Sequence, residues 1–136
     1  MAKADIRLVL DGGEAERAWR RYEPGSTVRG TVQLLVGGDV RCDRVVVAIG
    51  WHTEGRGDRN GASVGEVELV RGRLTTNTTP SHSFAFRLPN EPWSYAGHYI
   101  NIVWEVTVTI AIRFARDIKR TEQVVVAPRP AGSPTS

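Results

Sequence analysis

A single cysteine, Cys42, stands in this chain of 136 residues. It excludes an internal disulfide and any zinc site built on several cysteines. Lysine is almost as scarce: Lys3 and Lys119 are 2 of the 18 basic residues, and the other 16 are arginine. Leucine numbers only 7 and alanine forms no long run, which argues against a helical bundle, a coiled coil or a Rossmann-type enzyme. No apolar stretch approaches the ~20 residues of a membrane-spanning helix. The opening Met-Ala-Lys-Ala-Asp lacks the apolar core of a secretion signal. A cytoplasmic location is the expectation, with membrane contact at most peripheral. The net charge of +3 is too mild to imply nucleic acid, and the aromatic interleaving of nucleic-acid platforms is missing.

What the chain has in quantity is Val, Ile and Thr, 17, 7 and 11 of them. These side chains are stiff at χ1 and pack well on a pleated surface. Their placement follows period two. From Ile100 to Phe114 every even position is apolar, including Trp104, Val106, Val108 and Ile110, a pattern that no helix shows. Shorter alternating runs cover Ile6–Leu10, Val28–Val36, Val45–Trp51, Val67–Leu69, Phe84–Leu88 and Val124–Val126. Seven or eight strands are predicted. Residues 14–22 also fit a helical turn, but the extended reading is preferred. Gly37-Gly38-Asp39 reads as a tight hairpin, and Glu54–Ser63 and Thr75–Ser81 as polar loops. The expectation is an all-β fold: one Ig-like antiparallel β-sandwich of two sheets over residues 1–127. Residues 128–136, rich in proline, form a disordered tail.

Two stretches carry a family resemblance. The first is Tyr22-Glu23-Pro24-Gly25-Ser26-Thr27-Val28-Arg29-Gly30-Thr31-Val32. The second runs Phe84-Ala85-Phe86-Arg87-Leu88-Pro89, then Pro92-Trp93-Ser94-Tyr95-Ala96-Gly97, then the long alternating strand. Together they resemble the N-terminal type of domain in the arrestin family, with its Y-x-P-G-x-x-V-x-G-x-V and F-x-F-x-L-P-x-x-x-P-S-Y-x-G patterns. Trp93 separates Pro92 from Ser94, and Trp104 stands where the family often has tyrosine. The resemblance spans about Ile6 to Val126, extends to small and single-domain microbial members, and implies a scaffold or adaptor that binds another protein. The paired basic residues that sense phosphate in receptor-binding members have no counterpart, since Arg7 is isolated among Ile6, Leu8 and Val9. Most members join two such sandwiches, and this chain has room for one. On physical grounds Tyr22, Pro24, Gly25, Gly30, Phe84, Phe86, Leu88, Pro89, Pro92, Ser94, Tyr95 and Gly97 specify a fold rather than an active site.

Chemistry is harder to find. His52, His82 and His98 occur at no metal-ligand spacing, and no cofactor motif is present. Cys42 has no local nucleophile signature. Arg56-Gly57-Asp58 matches an adhesion tripeptide and Asn77-Thr78-Thr79 a glycosylation sequon, both idle in a cytoplasmic protein. The run Trp51, His52, Glu54, Arg56, Asp58, Arg59 places charges on a rim behind an aromatic anchor, a candidate partner-binding loop. The arginine clusters read as solvated surface charge.

These observations predict a non-enzymatic interaction domain that binds a partner protein, or a second copy of itself, by strand addition at a sheet edge and by loop contacts. The alternative is a small-ligand or glycan-binding sandwich with Trp51, Trp93, Tyr95 and Tyr99 as a stacking platform. A hydrolase using His52, His98 or Cys42 is the third reading.

Overall fold

The computed structural model describes residues 4–16, 19–37, 40–55, 60–74, 80–97, 100–112 and 115–128. Ten strands follow in chain order: β1 (Ala4–Asp11), β2 (Glu14–Ala15), β3 (Arg20–Tyr22), β4 (Thr27–Val36), β5 (Val40–Gly55), β6 (Gly61–Leu74), β7 (Ser81–Arg87), β8 (Tyr95–Ala96), β9 (Ile100–Ile112) and β10 (Ile118–Val126). No helix occurs among the described residues. A three-stranded sheet has the order β1-β4-β7. A seven-stranded sheet has the order β2-β3-β10-β9-β5-β6, with β8 joining β9 beside the end of β10. All ladders are antiparallel except β3–β10.

The period-two pattern is the reason for this architecture. On β9 Trp104, Val106, Val108 and Ile110 are fully buried, while Glu105, Thr107 and Thr109 point to the outer face and are partly exposed. Val45, Val47 and Ile49 lie opposite Ile110, Val108 and Val106 on the neighbouring strand and share their face. The small sheet supplies Ile6 and Leu10 from β1, Val28, Val32 and Leu34 from β4, and Phe84 from β7 to the same core. A slip of one residue would turn each of these sets toward water, so the registers are strongly specified.

The two family motifs meet in space. Glu23-Pro24-Gly25-Ser26 forms a type II turn: Ser26 N–H bonds the Glu23 carbonyl at 3.1 Å and Gly25 has φ 79°, as this turn requires at its third residue. The turn is stitched to the second motif, because Gly25 N–H donates to the Pro89 carbonyl (3.2 Å) and Leu88 N–H to the Ser26 carbonyl (2.8 Å). Gly30 lies under Phe84; a Cβ there would come within 2.6 Å of the ring and 2.7 Å of the Val9 carbonyl. Tyr22, 1% exposed, donates its hydroxyl to the Asp11 carbonyl at 2.7 Å. Trp104 donates its indole N–H to the Pro92 carbonyl at 2.9 Å. Ser94 accepts the Val126 N–H on its hydroxyl (2.9 Å) and gives its own N–H to the Val126 carbonyl (2.7 Å). Gly97 N–H is bonded to the Asn101 side chain at 3.1 Å.

Three local expectations change. Gly37-Gly38-Asp39 does not close a hairpin: β4 belongs to the small sheet and β5 to the large one. Both sides of β4 are already taken by β1 and β7, so the chain must cross to the other layer. The predicted loop 54–63 contracts, because β5 runs on to Gly55 and β6 begins at Gly61; Thr53 and Asn60 close the stem, with Thr53 N–H on the Asn60 carbonyl at 2.8 Å. Ten strands stand against the seven or eight expected: within 14–22, Glu14–Ala15 and Arg20–Tyr22 are short strands, as is β8.

Candidate functional site: a free strand edge and a hairpin base

β1 is an edge strand, paired with β4 alone. Which of its peptide groups face outward follows from the ladder. Leu34 N–H donates to the Pro80 carbonyl at 2.9 Å, away from β1. Leu34 and its partner Ile6 are therefore a non-hydrogen-bonded pair, and by the alternation of antiparallel ladders so are Leu8–Val32 and Leu10–Gly30. The peptide groups of Ile6, Leu8 and Leu10 point to the open side. The Ile6 N–H is covered by the carboxylate of Asp5, 2.8 Å away, a local device that blunts an edge. No other strand pairs with this edge among the described residues.

A groove of about 310 Å³ lies beside Leu8, Val9 and Leu10, walled by Ala15, Glu16, Trp19, Arg20 and Glu122. Val9 and Trp19 are 49% and 43% exposed. The wall is fixed by Arg21, whose guanidinium is forked between Glu14 (2.6 Å) and Glu16 (2.7 Å) and also reaches the Ala127 carbonyl (3.3 Å). These bonds, that from Glu16 first, hold the Arg21 guanidinium charged beyond its usual range against the opposing effect of burial. Arg20 donates to the Gly12 carbonyl at 2.8 Å.

β7, at the far side of the small sheet, is likewise paired with β4 alone among the described residues; the two outer strands of the large sheet are less open. β2 has two residues. β6 carries three register shifts along β5, and its Glu68 is clamped by Arg71 at 2.8 Å, which pulls the Glu68 carboxyl below its usual pKa. Bulges and charges of this kind oppose pairing.

The predicted partner-binding loop is only partly a loop. Trp51, His52 and Glu54 lie on β5, whereas Arg56, Asp58 and Arg59 fall outside the described residues. Trp51 is half-buried against the core, opposite Trp104. His52 lies between two carboxylates, Nε2 at 2.8 Å from Glu54 and Nδ1 at 3.1 Å from Glu105. A neutral ring has one N–H and can donate to only one of them; the doubly protonated ring serves both. Glu105 comes from the neighbouring strand β9, and nothing in its sequence position announces this contact.

The stacking platform is divided. Trp93 and Tyr95 are 50% and 59% exposed, Trp51 is turned into the core, and Tyr99 is outside the described residues. Of the hydrolase candidates, Cys42 and His52 do not converge. Cys42 is buried, and ten residues of β5 separate it from His52, roughly 30 Å of strand. His98 is outside the described residues. His82, on β7, has a buried Nε2 with no hydrogen-bond partner. Among the described residues no three His, Cys, Asp or Glu side chains are grouped to hold a metal, and no helix is long and apolar enough to cross a membrane.

The architecture has a counterpart among solved structures. It superimposes on Spo0M, a sporulation control protein from Bacillus subtilis, with a TM-score of 0.73 over 95% of this chain, at 15% identity. The fold is therefore an arrestin-like β-sandwich. The chain spans about half the length of Spo0M, 51%. No family model matches the chain, and no curated protein matches it in sequence.

Proposed function

We propose that this protein is a non-enzymatic scaffold or adaptor domain that binds an extended segment of a partner protein along β1. The outward peptide groups of Leu8 and Leu10, set in a groove between β1 and the β2–β3 wall, carry this reading. A strand added there gains main-chain hydrogen bonds for affinity, while alternate side chains meet the exposed Val9 and Trp19 for specificity. Spo0M, described as a sporulation control protein, lends support to a regulatory rather than a catalytic role. Arg56, Asp58 and Arg59, in the sequence between β5 and β6, supply additional contacts beside the described His52, Glu54 and Glu105. The site of action is the cytoplasm.

Photo-crosslinking in the native cell tests this. A crosslinker at Val9 or Trp19 should capture a partner that one at Thr107, on the outer face of the large sheet, does not. In the purified complex the amides of Leu8 and Leu10 should become protected from exchange. Capture from Thr107 alone, or binding that leaves those two amides unprotected, would refute strand addition at β1.

A further inference from the structure

The small sheet ends on its other side at β7, and this edge is built differently from that of β1. Leu34 N–H donates to the Pro80 carbonyl at 2.9 Å, and Leu88 N–H to the Ser26 carbonyl at 2.8 Å. The peptide groups of residues 80 and 88 therefore face β4. Between them the ladder runs from Gln33–Ser81 to Thr27–Arg87 without a register shift, so alternation turns His82, Phe84 and Phe86 the same way. The peptide groups of Ser81, Ser83, Ala85 and Arg87 point to the open side, and all four residues are exposed.

The usual devices that blunt an edge are missing from this strand. From Ser81 to Arg87 there is no proline, lysine, acid or bulge, whereas β1 carries its Asp5 carboxylate. The flank is apolar. Gly65 of β6 lies so close to Phe86 that a Cβ would come within 2.7 Å of the ring. Val67 shares the face of Gly65, since the two lie opposite the buried Val47 and Ile49, respectively. Yet Val67 is 41% exposed, because the sandwich is open on this side.

The strand is also complementary to itself. With Phe84 on a two-fold axis, antiparallel pairing sets Ser83 opposite Ala85 of a second copy, and Ser81 opposite its Arg87. All four outward residues then fall in hydrogen-bonded pairs. Either neighbouring two-fold register carries Ser81 or Arg87 past the end of the strand. The paired side chains lie on the outer face, where Ser83 and Ala85 are small and no like charges oppose. The two Arg87 side chains stand at opposite ends, roughly 20 Å apart along the strands.

We infer that β7 is an interface for a second copy of this chain. The pairing doubles the three-stranded sheet into one continuous sheet with β7 against β7 at its centre, flanked by Val67 of each copy. Such a contact is isologous and closed, so it stops at the dimer. The two β1 edges lie at the far ends of the joined sheet and stay free for the partner segment.

Sedimentation over a range of concentrations, read together with amide exchange, tests this. The wild type should pass from monomer to dimer as concentration rises. The amides of Ser83 and Ala85 should become protected in step, while those of Leu8 and Leu10 do not. The Ser83→Lys/Ala85→Lys and Ser83→Glu/Ala85→Glu variants each set like charges opposite one another and should stay monomeric with the wild-type circular dichroism. Mixed, the two should recover a one-to-one dimer, because opposite charges then face across the axis. A wild type that is monomeric throughout would overturn the proposal. So would double variants that dimerise like the wild type, a mixture that stays monomeric, or a dimer that protects Leu8 and Leu10 instead of Ser83 and Ala85.

Discussion

Replacing Tyr22 by phenylalanine should make the protein weaker at neutral pH and stronger in alkali. Tyr22 is 1% exposed, and its hydroxyl pKa is pushed up to about 12, by burial first, with the charge of Asp11 adding and Arg20 opposing. An unfolded tyrosine titrates near ~10. A raised pKa in the folded state contributes stability that is fully present below the unfolded value and is lost as the pH rises through the folded one. At about 1.4 kcal/mol per unit, wild-type stability from this group falls by ~1.3 kcal/mol at about pH 11 and by ~2.3 kcal/mol at about pH 12. The variant has no such titration. It loses the 2.7 Å bond to the Asp11 carbonyl, an exposed residue whose oxygen can turn to water, so the cost is ~1 kcal/mol at every pH. The two stability curves should therefore cross between about pH 10.5 and 11. Urea denaturation of both proteins across this range measures the difference directly, and other alkaline titrations cancel in it. A difference that stays constant with pH would show that the hydroxyl titrates alike in the folded and unfolded chains, and would refute the reasoning.

Three further substitutions probe the packing and the edge. Gly30→Ala places a Cβ 2.6 Å from the Phe84 ring and 2.7 Å from a backbone carbonyl; denaturant titration should show a loss of ~1–3 kcal/mol. Gly65→Ala meets Phe86 at 2.7 Å, and its cost should shrink in a Phe86→Leu background, a coupling that a double-mutant cycle reads. In the isolated protein the amides of Leu8 and Leu10 should exchange faster than those of Arg7 and Val9, which are bonded into the β1–β4 ladder. Asp5→Ala should raise the exchange rate of Ile6 alone, since it removes the carboxylate that covers that N–H.

The parts of this fold that were readable in the sequence are those governed by a local period. The buried even positions of β9, and the Pro24-Gly25 turn, follow from side-chain alternation and from the backbone freedom of glycine, which neighbours in the chain dictate. What was not readable depends on register between distant strands. Arg21 belongs to an arginine-rich stretch that reads as solvated charge, yet it is buried, because β2 turns back on β3 and sets Glu14 opposite it. His52 has no ligand-like spacing, and its contact with Glu105 exists only because β9 runs beside β5. The crossing at 37–39 resembles a hairpin locally; only the full occupancy of both sides of β4 forbids it. Trp19 is ambiguous within 14–22, and its place on the groove wall depends on β3 having joined β10.

The residues that carry the family resemblance are largely consumed in holding the sandwich together. Gly25, Leu88 and Pro89 bond one another's turn, Gly30 makes room for Phe84, and Ser94 ties the second motif to β10. Groups already committed to such bonds cannot also bind a partner without undoing the fold. On the proposed function, recognition falls to side chains that the motifs leave variable and the core leaves uncovered. Val9 and Trp19 at the β1 groove meet both conditions, as does Trp93, the one residue interposed in the Pro92–Ser94 spacing. Two proteins with the same stitched framework can therefore bind different partners by changing only these exposed positions. For this reason a shared fold at 15% identity is compatible with a partner of this chain's own.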